Sequence, residues 1–240
     1  MKKPGAPGFL HYRNGLFMRQ EYIDKIEASE MILVGIGSEF EISRFQKDTK
    51  AVEALKELSR ILEGKNYYLI TTCTNGILKN VGFLEERMVS PCGNLEKKQC
   101  PKHCENSLQQ LSEVEIQVLS EKLSEDFQPE LGVCPSCGER LVLNNVYAEK
   151  YDEDGYLQDW KCYTKWLQGT LNRKLCILEL GVNLVFPSII RWPFEKVAFY
   201  NQKAIFIRVN EKLYHMSEEL KDKGISVEKN AVDWLLDKEI

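Results

Sequence analysis

The sequence predicts an α/β protein in which helices cover a parallel sheet and a small metal-binding module interrupts the alternation. Short, continuous apolar runs alternate with stretches of helical periodicity, which is the pattern of a parallel sheet buried on both faces. Two close pairs of cysteines lie in the middle of the chain. The 240 residues are enough for one sizeable core and a smaller module beside it.

The first part of the chain predicts a strand–helix–strand unit. Apolar residues within 16–26 favour a first helix, and the apolar run at 31–34 predicts a buried strand. Apolar positions at helical spacing predict a helix over 47–62, with Gly64 as its C-terminal stop. A second strand is predicted at 67–71, which completes a βαβ unit of a parallel sheet.

The same alternation resumes in the last part of the chain. An amphipathic aromatic stretch predicts a helix over 157–167. Two apolar runs predict buried strands at 175–180 and 204–209. Helices are expected at 213–220 and 231–236, where they close the domain.

The two cysteine pairs predict a structural zinc site. Cys100-Pro-Lys-His-Cys104 and Cys134-Pro-Ser-Cys137 have the paired spacing that places four thiolates around one tetrahedral ion. Gly138 can adopt the positive φ that a tight metal-binding turn requires. Two disulfides or four unrelated buried cysteines are the alternatives, and nothing in the sequence favours either. Between the pairs, five apolar residues predict a helix packed on the module: Leu108, Leu111, Val114, Val118 and Phe127.

These elements divide the chain into a discontinuous α/β domain, residues 1–88 and 170–240, and an inserted zinc module, residues 89–169. In an open parallel sheet, ligands bind beyond the carboxyl ends of the strands. Four such ends carry loops that together predict one dinucleotide-sized crevice: 35–37, 71–76, 181–187 and Asn210.

Composition argues against several classes of partner. The net charge of −4 gives no overall electrostatic case for a nucleic acid or a membrane. No apolar run approaches the ~20 residues needed to cross a bilayer, and the N-terminus lacks a signal-peptide pattern. Eight cysteines without such a signal fit a reducing cytoplasm, which is the expected location. A zinc-ribbon adaptor for nucleic acid rests only on Lys97, Lys98 and Lys102, which are more simply a solvated face.

Four motifs follow one another in a diagnostic order. Gly35-Ile-Gly37 follows the first strand, Tyr68-Leu-Ile-Thr-Thr-Cys-Thr-Asn-Gly76 forms the second strand end, and Cys92-Gly-Asn-Leu95 precedes the first cysteine pair. The segment 178–194 contains Glu-Leu-Gly-Val-Asn and Ile-Arg-Trp-Pro-Phe. This order resembles the sirtuin family of NAD-dependent protein deacylases and ADP-ribosyltransferases, in a divergent bacterial branch. The resemblance covers nearly the whole chain and implies a Rossmann-like NAD domain with an inserted four-cysteine zinc module.

The resemblance also implies a set of cofactor contacts. NAD is the expected cofactor beside the structural zinc, and the strand end at Asn210 resembles the one that contacts the adenosine ribose in the family. Glu179 is either a ligand contact or a structural carboxylate. The residues expected to bind NAD are Gly35, Gly37, Thr72, Gly181, Asn183 and Asn210.

The catalytic positions depart from the family pattern. Cys92 stands where sirtuins carry their general-base histidine, Cys73 where they carry an asparagine, and Asn75 where they carry an aspartate. A thiol with a pKa of about 8.5 is mostly protonated at neutral pH and is a poor base. The two thiols are either a nucleophile or redox group, or simply packing. Glu39 brings a negative charge towards the expected pyrophosphate position, unless Arg44 or a helix N-terminus offsets it.

Two functions remain open at this level. The first is an NAD-consuming deacylase or ADP-ribosyltransferase that releases nicotinamide and acts on an acylated or ADP-ribose-accepting protein. The alternative is a non-catalytic module that binds NAD or ADP-ribose and acts through a partner.

Overall fold

The computed structural model describes residues 15–43, 47–121 and 129–237. The strands are β1 Met31–Ile36, β2 Tyr67–Thr71, β3 Met88–Val89, β4 Gly93–Gln99, β5 Gln109–Gln110, β6 Val142–Asn145, β7 Leu175–Leu180, β8 Ile205–Asn210 and β9 Gly224–Glu228. The helices are α1 Gly15–Glu27, α2 Thr49–Ile61, α3 Glu113–Glu121, α4 Leu157–Gln168, α5 Arg191–Tyr200 and α6 Ala231–Leu236. Within these ranges, no helix is both long enough and apolar enough to cross a membrane.

A six-stranded parallel sheet forms the larger part of the molecule, in the order β3-β2-β1-β7-β8-β9. Every residue of β1 and β7 is buried, as expected for central strands covered on both faces. Side chains alternate between the faces, so Val34 packs under α1, α2 and α6 whereas Leu33 packs under α4 and α5. The predicted α/β class is confirmed.

The small module contains the antiparallel sheet β5-β4-β6. Its apolar cluster is limited and includes two of the cysteines: Leu95, Cys100, Leu111, Leu119, Leu131, Cys134 and Leu141. The predicted helix between the cysteine pairs exists as α3, but its predicted buried face is wrong. Leu111 precedes the helix, Leu119 is its buried residue, and Val114 is 70% exposed. Phe127 lies outside the described residues.

Helix α4 packs on the large sheet rather than on the small one. The ring of Tyr163 lies 5.5 Å from that of Tyr68 in β2, and the Tyr68 hydroxyl donates to the carbonyl of Asp159. The predicted limits of the inserted module, residues 89–169, stay a prediction.

The predicted helix at 213–220 is wrong. Only Glu218–Leu220 forms a 3₁₀ turn, and the segment before it has no regular structure. Two buried arginines explain the difference, because Arg191 donates to the carbonyl of Leu213 (2.5 Å) and Arg208 to that of His215 (2.6 Å). These carbonyls are therefore satisfied without helical hydrogen bonds. The edge strand β9, which follows, was not predicted.

Candidate functional site

Four cysteine side chains of the small module form a compact cluster. The sulfur atoms of Cys100, Cys104, Cys134 and Cys137 all lie within 4.8 Å of one another, and no disulfide joins them. Four thiolates at about 2.3 Å from a tetrahedral zinc ion require a similar spacing. Gly138 has φ +74° and its N–H donates to the carbonyl of Cys134 (2.9 Å), so the predicted tight turn is present. The cluster could hold zinc.

The large sheet has its topological switch point between β1 and β7. From β1 the chain proceeds to β2 and β3 on one side, whereas β7, β8 and β9 lie on the other. Here the N–H of Gly37 donates to the carbonyl of Leu180 (2.9 Å). A Cβ on Gly37 would lie 2.4 Å from the Cα of Val182, so only glycine fits. Gly35 instead packs against the start of α5: a Cβ there would lie 2.5 Å from Ile190, which precedes the helix, and 2.7 Å from Phe194 within it.

The side chain of Glu39 starts beside this switch point, against Gly181 at the end of β7, and extends towards the segments that follow β8 and β9. Its carboxylate accepts hydrogen bonds from the backbone N–H groups of Glu211 (2.8 Å) and Ala231 (2.6 Å). It also covers Gly181, whose φ is +62° and whose Cβ would lie 2.5 Å from that of Glu39. Burial raises the pKa of Glu39, although the two hydrogen bonds lower it. A carboxylate thus already occupies two backbone N–H donors, one of them in the first turn of α6. Arg44 lies outside the described residues.

Three other residues predicted to contact the cofactor hold loops in place. Asn210 is 4% exposed, and its Oδ1 accepts from the N–H groups of Lys212 (2.9 Å) and Leu213 (2.7 Å). Asn183 accepts from the N–H of Val185 (3.0 Å), and the N–H of Thr72 donates to the carbonyl of Ile36 (3.0 Å). The cofactor role of these residues stays a prediction.

A large cleft opens beside the carboxyl end of β2. Its volume is about 990 Å³, near the upper end of the range for ligand sites. The loop 76–90, β4 and the first turn of α4 enclose it together with Cys73. Both signs of charge line it, including Lys79, Lys97 and Asp159. The cleft lies between the large sheet and the small module.

The predicted catalytic residues are buried close to this cleft. Cys92 is 0% exposed, and the Cys73 thiol donates to the carbonyl of Gly37 (3.2 Å). Burial, followed by the charge of Glu41, raises the pKa of both thiols, that of Cys92 to about 12. Asn75 is fully buried and accepts from the N–H of Ile77 (3.1 Å). These surroundings favour the packing interpretation of the thiols, and the catalytic assignment stays a prediction.

Comparisons with curated proteins identify distant relatives, although no family model matches the chain. The chain is 21% identical over 172 residues to a protein ADP-ribosyltransferase of Staphylococcus aureus (strain Mu50 / ATCC 700699), covering 70% of this chain and 54% of that protein. It is 24% identical over 147 residues to a probable bifunctional ADP-ribose hydrolase/ADP-ribosyltransferase of Fusarium oxysporum f. sp. cubense, covering 55% of this chain and 23% of that protein. The matches therefore span about half of the first relative and a quarter of the second.

Solved structures extend the similarity to nearly the whole chain. A Sir2 protein bound to a propionylated peptide has a TM-score of 0.59 at 15% identity and covers 91% of this chain and 95% of its own. Sir2 with a p53 peptide and NAD⁺ has a TM-score of 0.57 at 13% identity, with coverage of 90% and 95%. The chain has the sirtuin fold. The predicted resemblance to the sirtuin family is confirmed at the level of the fold.

Glu41 is a residue of this sirtuin-fold site that no sequence pattern indicated. One of its carboxylate oxygens accepts from both the N–H and the hydroxyl of Thr74, each at 2.8 Å. This contact fixes a carboxylate on the loop after β2, where its charge acts on Cys73 and Cys92. No sequence motif links residue 41 to residue 74, so only the fold reveals the pair.

The buried thiols of this sirtuin-fold chain are expected to resist modification. In zinc-loaded protein at neutral pH, the exposed Cys162 should react rapidly with a disulfide reagent, whereas Cys73, Cys92 and Cys176 should react only on unfolding. The measurement is the number of fast-reacting thiols in the wild type and in Cys162→Ser. Rapid labelling of Cys92 in native protein would contradict its burial.

The raised pKa of Cys92 also gives stability an alkaline dependence. The thiol ionises at about pH 8.5 in the unfolded chain and at about pH 12 in the folded one. Its contribution to stability is therefore fully present below pH ~8.5 and is lost as the pH rises towards the folded pKa. Urea unfolding at neutral and alkaline pH should show a smaller alkaline loss for Cys92→Ala than for the wild type.

Proposed function

We propose that this sirtuin-fold chain transfers the ADP-ribosyl group of NAD to a protein acceptor and releases nicotinamide. The observation that carries the proposal is that both curated relatives have names that include ADP-ribosyltransferase. The sirtuin fold supports NAD as the donor, since Sir2 structures of this fold contain it. The chain matches only part of each relative, so the whole ADP-ribosyltransferase activity is part of what we propose.

The two ends of the candidate site differ in how they fit NAD. The cleft beside β2 has the size and the polar lining for the nicotinamide riboside half. We assign the diphosphate half to the carboxyl end of the sheet beside the switch point, where Glu39 occupies the N–H groups of Glu211 after β8 and Ala231 after β9. Glu39 must release these two donors before a phosphate group can accept from them.

The residues beside the cleft favour ADP-ribosyl transfer over deacylation. NAD supplies an activated ADP-ribosyl group when it is bound. Burial raises the pKa of Cys92 to about 12, so at neutral pH its thiol is protonated and does not replace the general-base histidine that the family uses in deacylation. Glu41 is held by Thr74, and its charge acts on the cleft residue Cys73, so we propose that it stabilises positive charge that develops at the ribose. Deacylation of a lysine side chain is the alternative NAD-dependent reaction, since Sir2 structures of this fold hold acetylated and propionylated peptides.

A second candidate function is binding of NAD or ADP-ribose without turnover, with signalling through a partner. The observation that favours it is that residues at positions where the family binds NAD form hydrogen bonds to the backbone of this chain instead. Asn210 has its side chain fully engaged by backbone groups, and Asn75 accepts from its own loop. Zinc has a structural role under either function, because the cysteine cluster lies within the core of the small module.

The test of the proposed function is transfer of label from adenine-labelled NAD to proteins in a defined mixture. The proposal expects covalent labelling that requires the wild-type chain and that falls at least about tenfold in Glu41→Gln, which removes the charge but keeps the shape. Binding of NAD without any labelling would support the second candidate. Removal of an acetyl group from a lysine peptide, with no protein labelling, would favour deacylation.

Removal of the Glu39 carboxylate is expected to strengthen nucleotide binding. Glu39→Ala frees the N–H groups of Glu211 and Ala231 and removes a charge that repels phosphate, so the dissociation constant for ADP-ribose should fall about tenfold or more. Calorimetric titration measures the change. Glu211→Ala is the matched control, because it removes a nearby charge without freeing either donor. Equal or weaker binding by Glu39→Ala would contradict the assignment of this crevice to phosphate.

A further inference from the structure

The hydroxyl of Tyr151 is a buried polar group without a partner in the protein. Among the described residues, the hydroxyls of Tyr151, Tyr163 and Ser107 are inaccessible to water and form no hydrogen bond. Of these three, only Tyr151 lines the cleft beside β2. A buried unpaired donor costs free energy, and native proteins rarely keep one without a reason.

The backbone on both sides of Tyr151 is held rigidly by two buried amide side chains. Gln99 donates to the carbonyl of Lys150 (2.5 Å) and accepts from the N–H of Asp152 (2.9 Å). Asn144 donates to the Gln99 side chain (2.7 Å) and to the carbonyl of Asp152 (2.8 Å). Gln99 is 0% and Asn144 2% exposed, so water does not compete with these bonds. The position of Tyr151 is therefore fixed before any ligand arrives.

The Tyr151 ring is also fixed, and its chemical state is defined. It stacks on Tyr156, another cleft residue, with the ring centroids 6.0 Å apart and an angle of 23° between the planes. Burial, followed by the nearby Tyr156 and Cys92, raises the pKa of the Tyr151 hydroxyl. At neutral pH the group is a hydrogen-bond donor. Cys92, which stands where the family carries its histidine, is thus a close neighbour of a positioned donor.

We propose that Tyr151 is a ligand-binding residue: its hydroxyl is covered in this structure, and when NAD enters the cleft the covering groups move aside and the hydroxyl donates a hydrogen bond to an oxygen atom of the nicotinamide riboside half. The inference rests on the proposed function for the identity of the ligand. It explains why a rigid frame of Gln99 and Asn144 holds an unpaired hydroxyl at this wall. Tyr151 acts as a positioning and specificity residue, since its donor selects a ligand with an oxygen acceptor at that point.

The test compares Tyr151→Phe with Tyr163→Phe, which removes another buried, unpaired hydroxyl that does not line the cleft. Calorimetric titration with NAD is expected to show about tenfold weaker binding for Tyr151→Phe and no change for Tyr163→Phe. Affinity for ADP, which lacks the nicotinamide riboside half, should be the same in both variants and the wild type. The melting temperature of Tyr151→Phe should not fall, because the hydroxyl has no partner within the protein.

The outcomes separate this inference from the proposed function. NAD binding by Tyr151→Phe that equals the wild type would overturn the inference and leave the proposed function intact. A loss of NAD affinity accompanied by an equal loss of ADP affinity, or by a lower melting temperature, would overturn it in favour of a structural role. A wild-type chain that binds neither NAD nor ADP-ribose would overturn the proposed function and this inference with it.

Discussion

The Cys134→Ser variant is expected to lose bound zinc and the folded structure of the small module. Cys134 is 1% exposed and shares the sulfur cluster with Cys100, Cys104 and Cys137. The apolar core around the cluster is small, so a zinc ion held there would supply much of the folding free energy of the module. Structural zinc sites in small modules contribute apparent binding free energies of about 10–16 kcal/mol. Metal analysis should fall from one zinc per chain to near zero.

Limited proteolysis should then cut the module while the large sheet stays resistant. Cys162→Ser is the matched control, because Cys162 is an exposed cysteine on α4 outside the cluster. It should keep one zinc and the wild-type cleavage pattern. A Cys134→Ser variant with a full complement of zinc and an unchanged pattern would contradict the metal assignment.

The Glu179→Ala variant is expected to lower the free energy of unfolding by about 3–5 kcal/mol. Glu179 is 0% exposed in β7 and accepts from Arg191 (2.7 Å) and from Arg208 (2.7 and 3.1 Å). Truncation leaves two buried guanidinium groups without their carboxylate. The same arginines bind the carbonyls of Leu213 and His215, so the segment after β8 should loosen as well. Of the two predicted roles of Glu179, a ligand contact or a structural carboxylate, this network supports the structural one.

Urea unfolding measures this loss, and Glu195→Ala provides the control. Glu195 is 28% exposed at its side chain and pairs with Arg208 alone (2.8 Å) in this network. Its removal should cost about 1 kcal/mol, the size of a single hydrogen-bonded contact. A Glu179→Ala loss as small as that of Glu195→Ala would show that the two arginines find water or other partners in the variant.

The parts of the fold that depend on local sequence could be predicted. The strand at 175–180 was visible as a continuous apolar run because both faces of the central sheet are covered. The helix at 231–236 was also predicted with its observed limits. The segment 213–220 was not, because its conformation depends on Arg191 and Arg208, which lie on other elements. Periodicity cannot report a side chain that reaches a distant carbonyl.

In the candidate site, too, the residues with a local sequence signal could be predicted, whereas those placed by long-range contacts could not. The cysteine cluster was predictable because its ligands come in two close pairs, each with its own turn. The contacts of Glu39 were not, since its two partners lie 172 and 192 residues away. Glu41 and Thr74 are 33 residues apart, and Tyr151 is positioned by amides that no motif connects. Long-range contacts of single side chains leave no periodic trace in a sequence.

The decisive measurement for ADP-ribosyl transfer is the release of nicotinamide from NAD by purified, zinc-loaded protein. We expect release that increases with a protein acceptor, that does not require an acetyl-lysine peptide, and that survives Cys92→Ala because the Cys92 thiol takes no proton. Release that depends on the acetyl-lysine peptide, or that is abolished by Cys92→Ala, would contradict ADP-ribosyl transfer by this mechanism. No release at all from a chain that binds NAD would contradict an enzymatic role and leave a binding module.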